Sequence, residues 1–355
     1  MRSESWTFLK TLIETPGPSG YERDVAAVWR TEAETFADEV DRDLTGNSFA
    51  WLRASNPDAP TVLVEGHIDE IGIQITHIDP EGYIWFDAIG GWDAQVLTGQ
   101  RIRFLTSRVE PVFGVIGRKA AHLLKAEDRD KAVKIEDLWI DIGVSSRDEA
   151  LKWVSIGDAG VVDAPFTGIG DGLIVSRAID NRSGAFVALE VLRLLSEDRP
   201  YVNVVALAAA QEEISFAGAY TAVFSTEPTV AIAIDVTHAT DYPGADKKRN
   251  DEVALGSGPV LTRGSSANPV VYERLVAAAN SAEISFTVQG SARATWTDAD
   301  AMIRSGRGPA TGVVSIPTRY MHSPNETIAV SDLDACTELL AEFIRQIDAE
   351  SDFRP

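Results

Sequence analysis

From about residue 179 onward, helical repeats and apolar strand runs alternate, and this alternation leaves few folds open. Residues 181–195 carry helical periodicity, 201–210 (YVNVVALAAA) is an apolar run of strand type, 216–224 returns to helix and 229–236 (TVAIAIDV) to strand. The series continues with helix 268–282, strand 284–289, helix 298–305, strand 311–316 and a closing amphipathic helix at 331–347. Short continuous apolar runs suit strands buried on both faces. Their βαβα alternation predicts an α/β fold, a mostly parallel sheet flanked by helices on both faces. Residues 61–65 (TVLVE) form a further run of this kind. The first 45 residues read as helix, turn, helix, the turn being TPGPSG at 15–20, whose two prolines and two glycines break a helix.

Between roughly 75 and 165 the character changes. Short strand-like pieces at 83–86 and 101–105 are separated by glycine turns such as IGGW at 89–92, with one helix marked by Ser146 and Glu149 at capping-box spacing. The expected organisation is a domain formed by residues 1–74 and 166–355, interrupted by a small β-rich domain over 75–165. Composition then excludes several functions. A formal charge of −22 argues against a nucleic-acid partner, which calls for a basic patch. No stretch approaches the roughly 20 apolar residues that span a bilayer, and no apolar leader follows the first residues, so no membrane partner is expected. Cys336 is the single cysteine, so no internal disulfide can form and a cytoplasmic location is expected.

Polar residues cluster where the apolar runs end. His67 and Asp69 follow TVLVE, Glu212 and Glu213 follow VVALAAAQ, Asp235 ends TVAIAID, His322 lies beyond VVSIP, and Asp180 opens a helix after 173–175. In open α/β sheets, ligands bind at the carboxyl ends of the strands, so all five clusters can meet in one crevice. In extended backbone, residues two apart share a side. His67 and Asp69 are thus expected to face one site, whereas the adjacent Glu212 and Glu213 point apart, one toward a metal and one toward substrate as general base. Each residue alone has a bland reading: a solvated loop, a helix cap, a turn. Together, two histidines and several acids at strand ends suit a pair of zinc-like ions, which take imidazole nitrogen and carboxylate oxygen.

The strings GHIDEIG at 66–72, IDNRSG at 179–184, QEE at 211–213 with Gly218 and Ala219, DVTH at 235–238 and RYMHSP at 319–324 resemble the M42 metallopeptidases. Residues 78–79, IGGW at 89–92 and DLWIDIG at 137–143 match inside the insert. The resemblance runs in order from about residue 15 to the final helix. It implies a zinc-peptidase-like fold and a metal-dependent aminopeptidase with two divalent ions per subunit, zinc or cobalt. His67, Asp180 and Asp235 would hold one ion. Asp180 would bridge to the second, completed by Glu213 and His322. Glu212 would be the general base, taking a proton from the bridging water to give the hydroxide nucleophile, with Asp69 orienting His67. That Glu212 and not Glu213 is the base follows from the resemblance alone. Peptide substrates and a homo-oligomer, such as a dodecamer shaped by the inserted domain, are implied too. Ser215-Phe-Ala217 departs from the family's usual Gly-Leu-Arg beside the substrate side and leaves selectivity open.

Competing functions are a deacylase or carboxypeptidase with the same metals, an endoglucanase-type glycosidase working through a carboxylic acid pair, and a non-catalytic assembly subunit. Of the remaining histidines, His77 is expected to be structural, His122 could approach a neighbouring subunit's site, and His238 lies near Asp235. Lys247-Lys-Arg249 reads as a solvated loop.

Overall fold

A computed structural model describes residues 1–56, 58–125 and 131–355. Strands β1 (Glu39–Arg42), β2 (Ser48–Leu52) and β3 (Thr61–His67) come first. A closed six-stranded barrel follows, made of β4 (Gly72–Ile78), β5 (Ile84–Ile89), β6 (Arg101–Leu105), β7 (Val112–Gly117), β8 (Trp139–Asp141) and β9 (Ala159–Val162). The chain then returns through β10 (Thr167–Ile169), β11 (Leu173–Ser176), β12 (Asn203–Ala209), β13 (Val230–His238), β14 (Val260–Gly264), β15 (Thr287–Ser291), β16 (Ala310–Thr318) and β17 (Glu326–Ala329).

The main sheet has the order β1-β2-β12-β3-β13-β16-β14-β15. Its four middle strands, β12, β3, β13 and β16, are mutually parallel. Antiparallel pairing appears toward the edges, at β1–β2, β2–β12 and β14–β16. The sheet is therefore mixed, with a parallel centre. Side chains alternate across it as strand geometry requires. Val62, Val64, Val204, Ala206, Ile232 and Ile234 meet the core under helices Ser3–Glu14, Ile179–Glu197, Pro269–Ser281 and Val330–Arg345, while Leu63, Val205, Leu207, Ala231 and Ala233 face Ala217–Thr226 and Ala299–Met302.

Helix Ile179–Glu197 lies against the parallel strands, with every side chain from Ile179 to Leu192 buried. Gly66 permits this approach: a Cβ there would sit 2.2 Å from the Ala185 backbone nitrogen. The barrel has its own core, including Ile73, Ile75, Phe86, Leu97, Ile102, Phe104 and Ile140.

Three local expectations need correction. The first 45 residues are not helix, turn, helix throughout, because β1 pairs with β2 as a hairpin after the second helix. Its sequence, Glu-Val-Asp-Arg, lacks the apolar signal because a sheet edge is mostly exposed. Strand 284–289 is shifted to Thr287–Ser291 and helix 298–305 shrinks to Ala299–Met302.

Candidate metal centre

The parallel strands deliver the chemistry at their carboxyl ends. His67 closes β3, directly opposite Ala209 at the end of β12, which leads into Glu212 and Glu213. Asp235 sits near the end of β13 and pairs with Ser315 of β16, whose extension reaches His322. Asp180 comes from the first turn of helix Ile179–Glu197, where Asp180 and Asn181 depart from helical geometry and their peptide is cis.

These side chains converge. His67 Nε2 lies 3.2 Å from Asp180 Oδ1, 3.6 Å from Glu212 Oε2 and 4.0 Å from Asp235 Oδ1. His322 Nε2 lies 3.4 Å from Asp180 Oδ2 and 3.3 Å from Glu213 Oε1. Asp180 thus offers one oxygen to each histidine. Three groups have ligand atoms within 4.8 Å of one another: His67–Asp180–Asp235, Asp180–Glu213–His322, and His67–Glu212–Glu213.

Glu212 and Glu213 are not in extended backbone, as their sequence suggested. They open the one-turn helix Glu212–Ser215 after Gln211, whose φ of 61° turns the chain. Asp69 caps that turn, its Oδ1 accepting the Glu212 N–H and its Oδ2 the Glu213 N–H, both at 3.1 Å. The side chains still diverge, Glu212 toward His67 and Glu213 toward His322. Asp69 also faces His67, with Oδ1 3.5 Å from Nδ1. One buried carboxylate therefore serves both the histidine and the glutamate pair.

Other supports come from residues to which the sequence reading gave no role. The Gly91 carbonyl lies 2.9 Å from His322 Nδ1, so a backbone oxygen beside the barrel orients that ring with Nε2 facing the carboxylates. Glu326, 2% exposed, accepts the backbone N–H of Asp180 and of His322. Asn181 donates to the Ile234 carbonyl beside Asp235. Glu70 accepts from Gly17 N–H, Arg182 and Arg177. Arg182, fully buried, also donates to the Leu12, Ile13 and Ile68 carbonyls. This ties the amino-terminal segment to the loop after His67.

Crowding of like charges governs the electrostatics. Burial, reinforced by the charges of Asp235, Asp298 and Glu213, pushes the Glu212 carboxyl up to about 10. Burial and Asp180 likewise raise Asp235. Burial opposes a charge on His322, but hydrogen bonds to Asp180 and Glu213 carry it up to about 11. His67 is raised against burial by Glu212, Asp180 and Asp69. Behind the cluster, burial pushes Asp298 up to about 7 beside the buried Glu65. Glu213 Oε1 is buried and makes no well-aligned hydrogen bond, its one close polar neighbour being His322 Nε2 at 3.3 Å. Carboxylates this close, with an unsatisfied oxygen aimed among them, fit a cation that takes the place of the histidine protons.

The site opens into a cavity of about 840 Å³. Its far walls come from residues 289–297, Thr262 and Met321, and from Phe216, which stands in the Ser-Phe-Ala departure. His238 also lines it, its imidazole lowered by burial. His77 is exposed on the barrel strand β4 and His122 is exposed in the 3-10 turn Ala121–Leu123; neither lines the cavity. Lys247–Asn250 is an exposed one-turn helix capped by Asp246.

Similarity to known proteins agrees with this geometry. Residues 46–339 match the family described as M42 glutamyl aminopeptidase. The lysyl aminopeptidase of Pyrococcus furiosus is 36% identical over 99% of each chain. The TET aminopeptidase of a marine sediment Thaumarchaeota archaeon superposes with a TM-score of 0.93 at 34% identity, covering 98% of this chain and 97% of that one. The TET1 peptidase of Pyrococcus horikoshii, which can assemble into a tetrahedron or a large octahedral shell, matches at TM-score 0.85 and 28% identity over 97% and 100%. A peptide-bond hydrolase built on the zinc-peptidase-like fold, the chain belongs to the M42 aminopeptidase family.

Proposed function

We propose that this M42 aminopeptidase removes amino-terminal residues from peptides with two divalent ions, zinc or cobalt. His67, Asp180 and Asp235 would hold one; Asp180, Glu213 and His322 would hold the other. The observation that carries this reading is the pair of ligand groups sharing Asp180, one oxygen toward each histidine. Two such ions lower the pKa of a water toward 7 and polarise a carbonyl. The chain's own residues do the rest. Glu212, beside His67 and lining the cavity, takes the proton of the attacking water and delivers it to the leaving amine. Asp69 holds Glu212 and His67 in register.

Glu212→Gln tests the base. The variant is expected to keep wild-type metal content and to lose about 10²- to 10⁴-fold in kcat. Full activity would assign the base elsewhere. Cleavage of acyl-blocked amino acids with no cleavage of free-amine peptides would move the assignment to a deacylase.

The division into residues 1–74 with 166–355 and an inserted 75–165 belongs to the same proposal, with the insert shaping access and assembly. The Gly91 contact with His322 and the TET1 assemblies support that role. Light scattering on a sized sample checks it, with a homo-oligomer such as a dodecamer expected. The single, buried Cys336 supports a cytoplasmic enzyme. No helix among the described residues is long and apolar enough to cross a membrane.

A further inference from the structure

Glu326 lies where two distant stretches of chain leave the same small sheet. β11 pairs with β17, placing Ser176 opposite Glu326. From there β11 runs into Asp180, while β17 follows the loop that carries His322. The carboxylate spans the gap: Oε2 accepts the Asp180 N–H and Oε1 the His322 N–H, both at 2.9 Å. Its two oxygens are committed to backbone donors, and it does not line the 840 Å³ cavity.

Both stretches need such a tie. Tyr320 and His322 adopt φ values of 62° and 58°, and Ala178, before Asp180, has φ 58°. Left-handed backbone is disfavoured for non-glycine residues and persists only where surroundings over-determine it. The His322 ring is held independently by the Gly91 carbonyl, so Glu326 controls the main chain and Gly91 the ring. No comparable tie from Glu326 reaches His67 or Asp235, the remaining ligands of the other position.

We infer that Glu326 is a positioning residue for the second metal position, fixing the separation of Asp180 and His322 so that Asp180–Glu213–His322 closes around an ion. This rests on the two-metal reading. Glu326→Gln keeps shape but leaves one of the two N–H groups facing an amide NH₂. Glu326→Asp keeps the charge but is one methylene too short to reach both donors.

The test is calorimetric titration of Co²⁺ into metal-stripped wild type and both variants, with Co²⁺ visible absorption and the melting temperature recorded alongside. Wild type is expected to bind two ions. Each variant is expected to bind one ion 10- to 100-fold more weakly, the range for lost outer-shell partners, with the second-ion absorption band diminished and activity restored by excess Co²⁺. Two ions bound by both variants with wild-type affinity, even at a lowered melting temperature, would overturn the inference, since a purely structural residue behaves that way. Fewer than two ions in wild type would instead refute the two-metal reading, and this inference with it. If Glu326→Gln fails to fold, Glu326→Asp decides.

Discussion

Replacing Asp69 by asparagine changes one oxygen into an amide nitrogen and leaves the shape intact. Asp69 is fully buried, and each of its oxygens accepts one N–H, from Glu212 and from Glu213, at 3.1 Å. Asparagine can present its oxygen to only one of them, and its NH₂ group then opposes the other donor. Hydrogen bonds to charged groups contribute about 1.5–3 kcal/mol, and an unsatisfied buried donor costs about 1–3 kcal/mol. These overlap, so a loss of about 2–4 kcal/mol is expected for the Glu212–Glu213 turn. The same atom that meets Glu212 N–H faces His67 Nδ1 at 3.5 Å, so metal affinity at His67 should also fall about 10- to 100-fold. If the whole loss reaches the transition state, kcat/KM falls by about 30- to 1,000-fold, at 1.36 kcal/mol per factor of ten. The assay is kcat/KM on a free-amine aminoacyl substrate at fixed metal, with a parallel metal titration and melting curve. An Asp69→Asn enzyme within threefold of wild type, with unchanged metal affinity and melting temperature, would show that Asp69 holds neither the turn nor the histidine.

Further outcomes follow from the same geometry. A Cβ at Gly91 would lie 2.9 Å from His322 Nδ1, so Gly91→Ala should displace the ring and weaken metal binding about tenfold; unchanged Co²⁺ affinity would contradict this. Gly66→Ala would place its Cβ 2.2 Å from the Ala185 nitrogen and the Gly184 carbonyl carbon, with no flexible side chain to yield. It should cost at least about 3 kcal/mol of stability, and a soluble variant melting like wild type would refute the close approach. Glu22, 6% exposed, is pushed up to about 7 by burial and by Asp69. Its folded pKa exceeds the unfolded one, so its stabilising contribution is complete below about 4.5 and is lost as pH rises toward 7, by up to about 3 kcal/mol. One oxygen, Oε1, accepts both the Gly20 and Gln211 N–H groups, so Glu22→Gln can keep both bonds without the charge. Metal-stripped Glu22→Gln should therefore gain on wild type in melting temperature between pH 4.5 and 8; parallel curves would refute the shift.

The central strands could be read from the sequence because burial on both faces makes β3, β12, β13 and β16 continuously apolar. His67, Asp180, Glu212, Glu213, Asp235 and His322 stood out for a related reason, as charged residues beside runs that exclude charge. What escaped depends on contacts between distant segments. The conformation of the Glu212–Glu213 turn is set by Asp69, more than 140 residues away, and propensity carries no trace of that. Glu326 and Gly91 act on, or through, the main chain of other segments. A lone Glu four residues after a histidine, or a glycine in a turn, looks ordinary until the fold closes. Strand β1 was missed because an exposed edge needs no apolar pattern. Antiparallel edge pairing was missed because alternation predicts layers better than strand direction.

The measurement that bears most directly on the two-metal aminopeptidase is metal add-back. Metal-stripped protein would be assayed against matched free-amine and N-acetylated peptides as zinc or cobalt is titrated to two equivalents per chain. No cleavage is expected without metal, activity should approach its maximum as the second equivalent binds, and only the free-amine series should be cleaved. Full activity in the stripped protein, or equal cleavage of the acetylated series, would contradict the two-metal aminopeptidase.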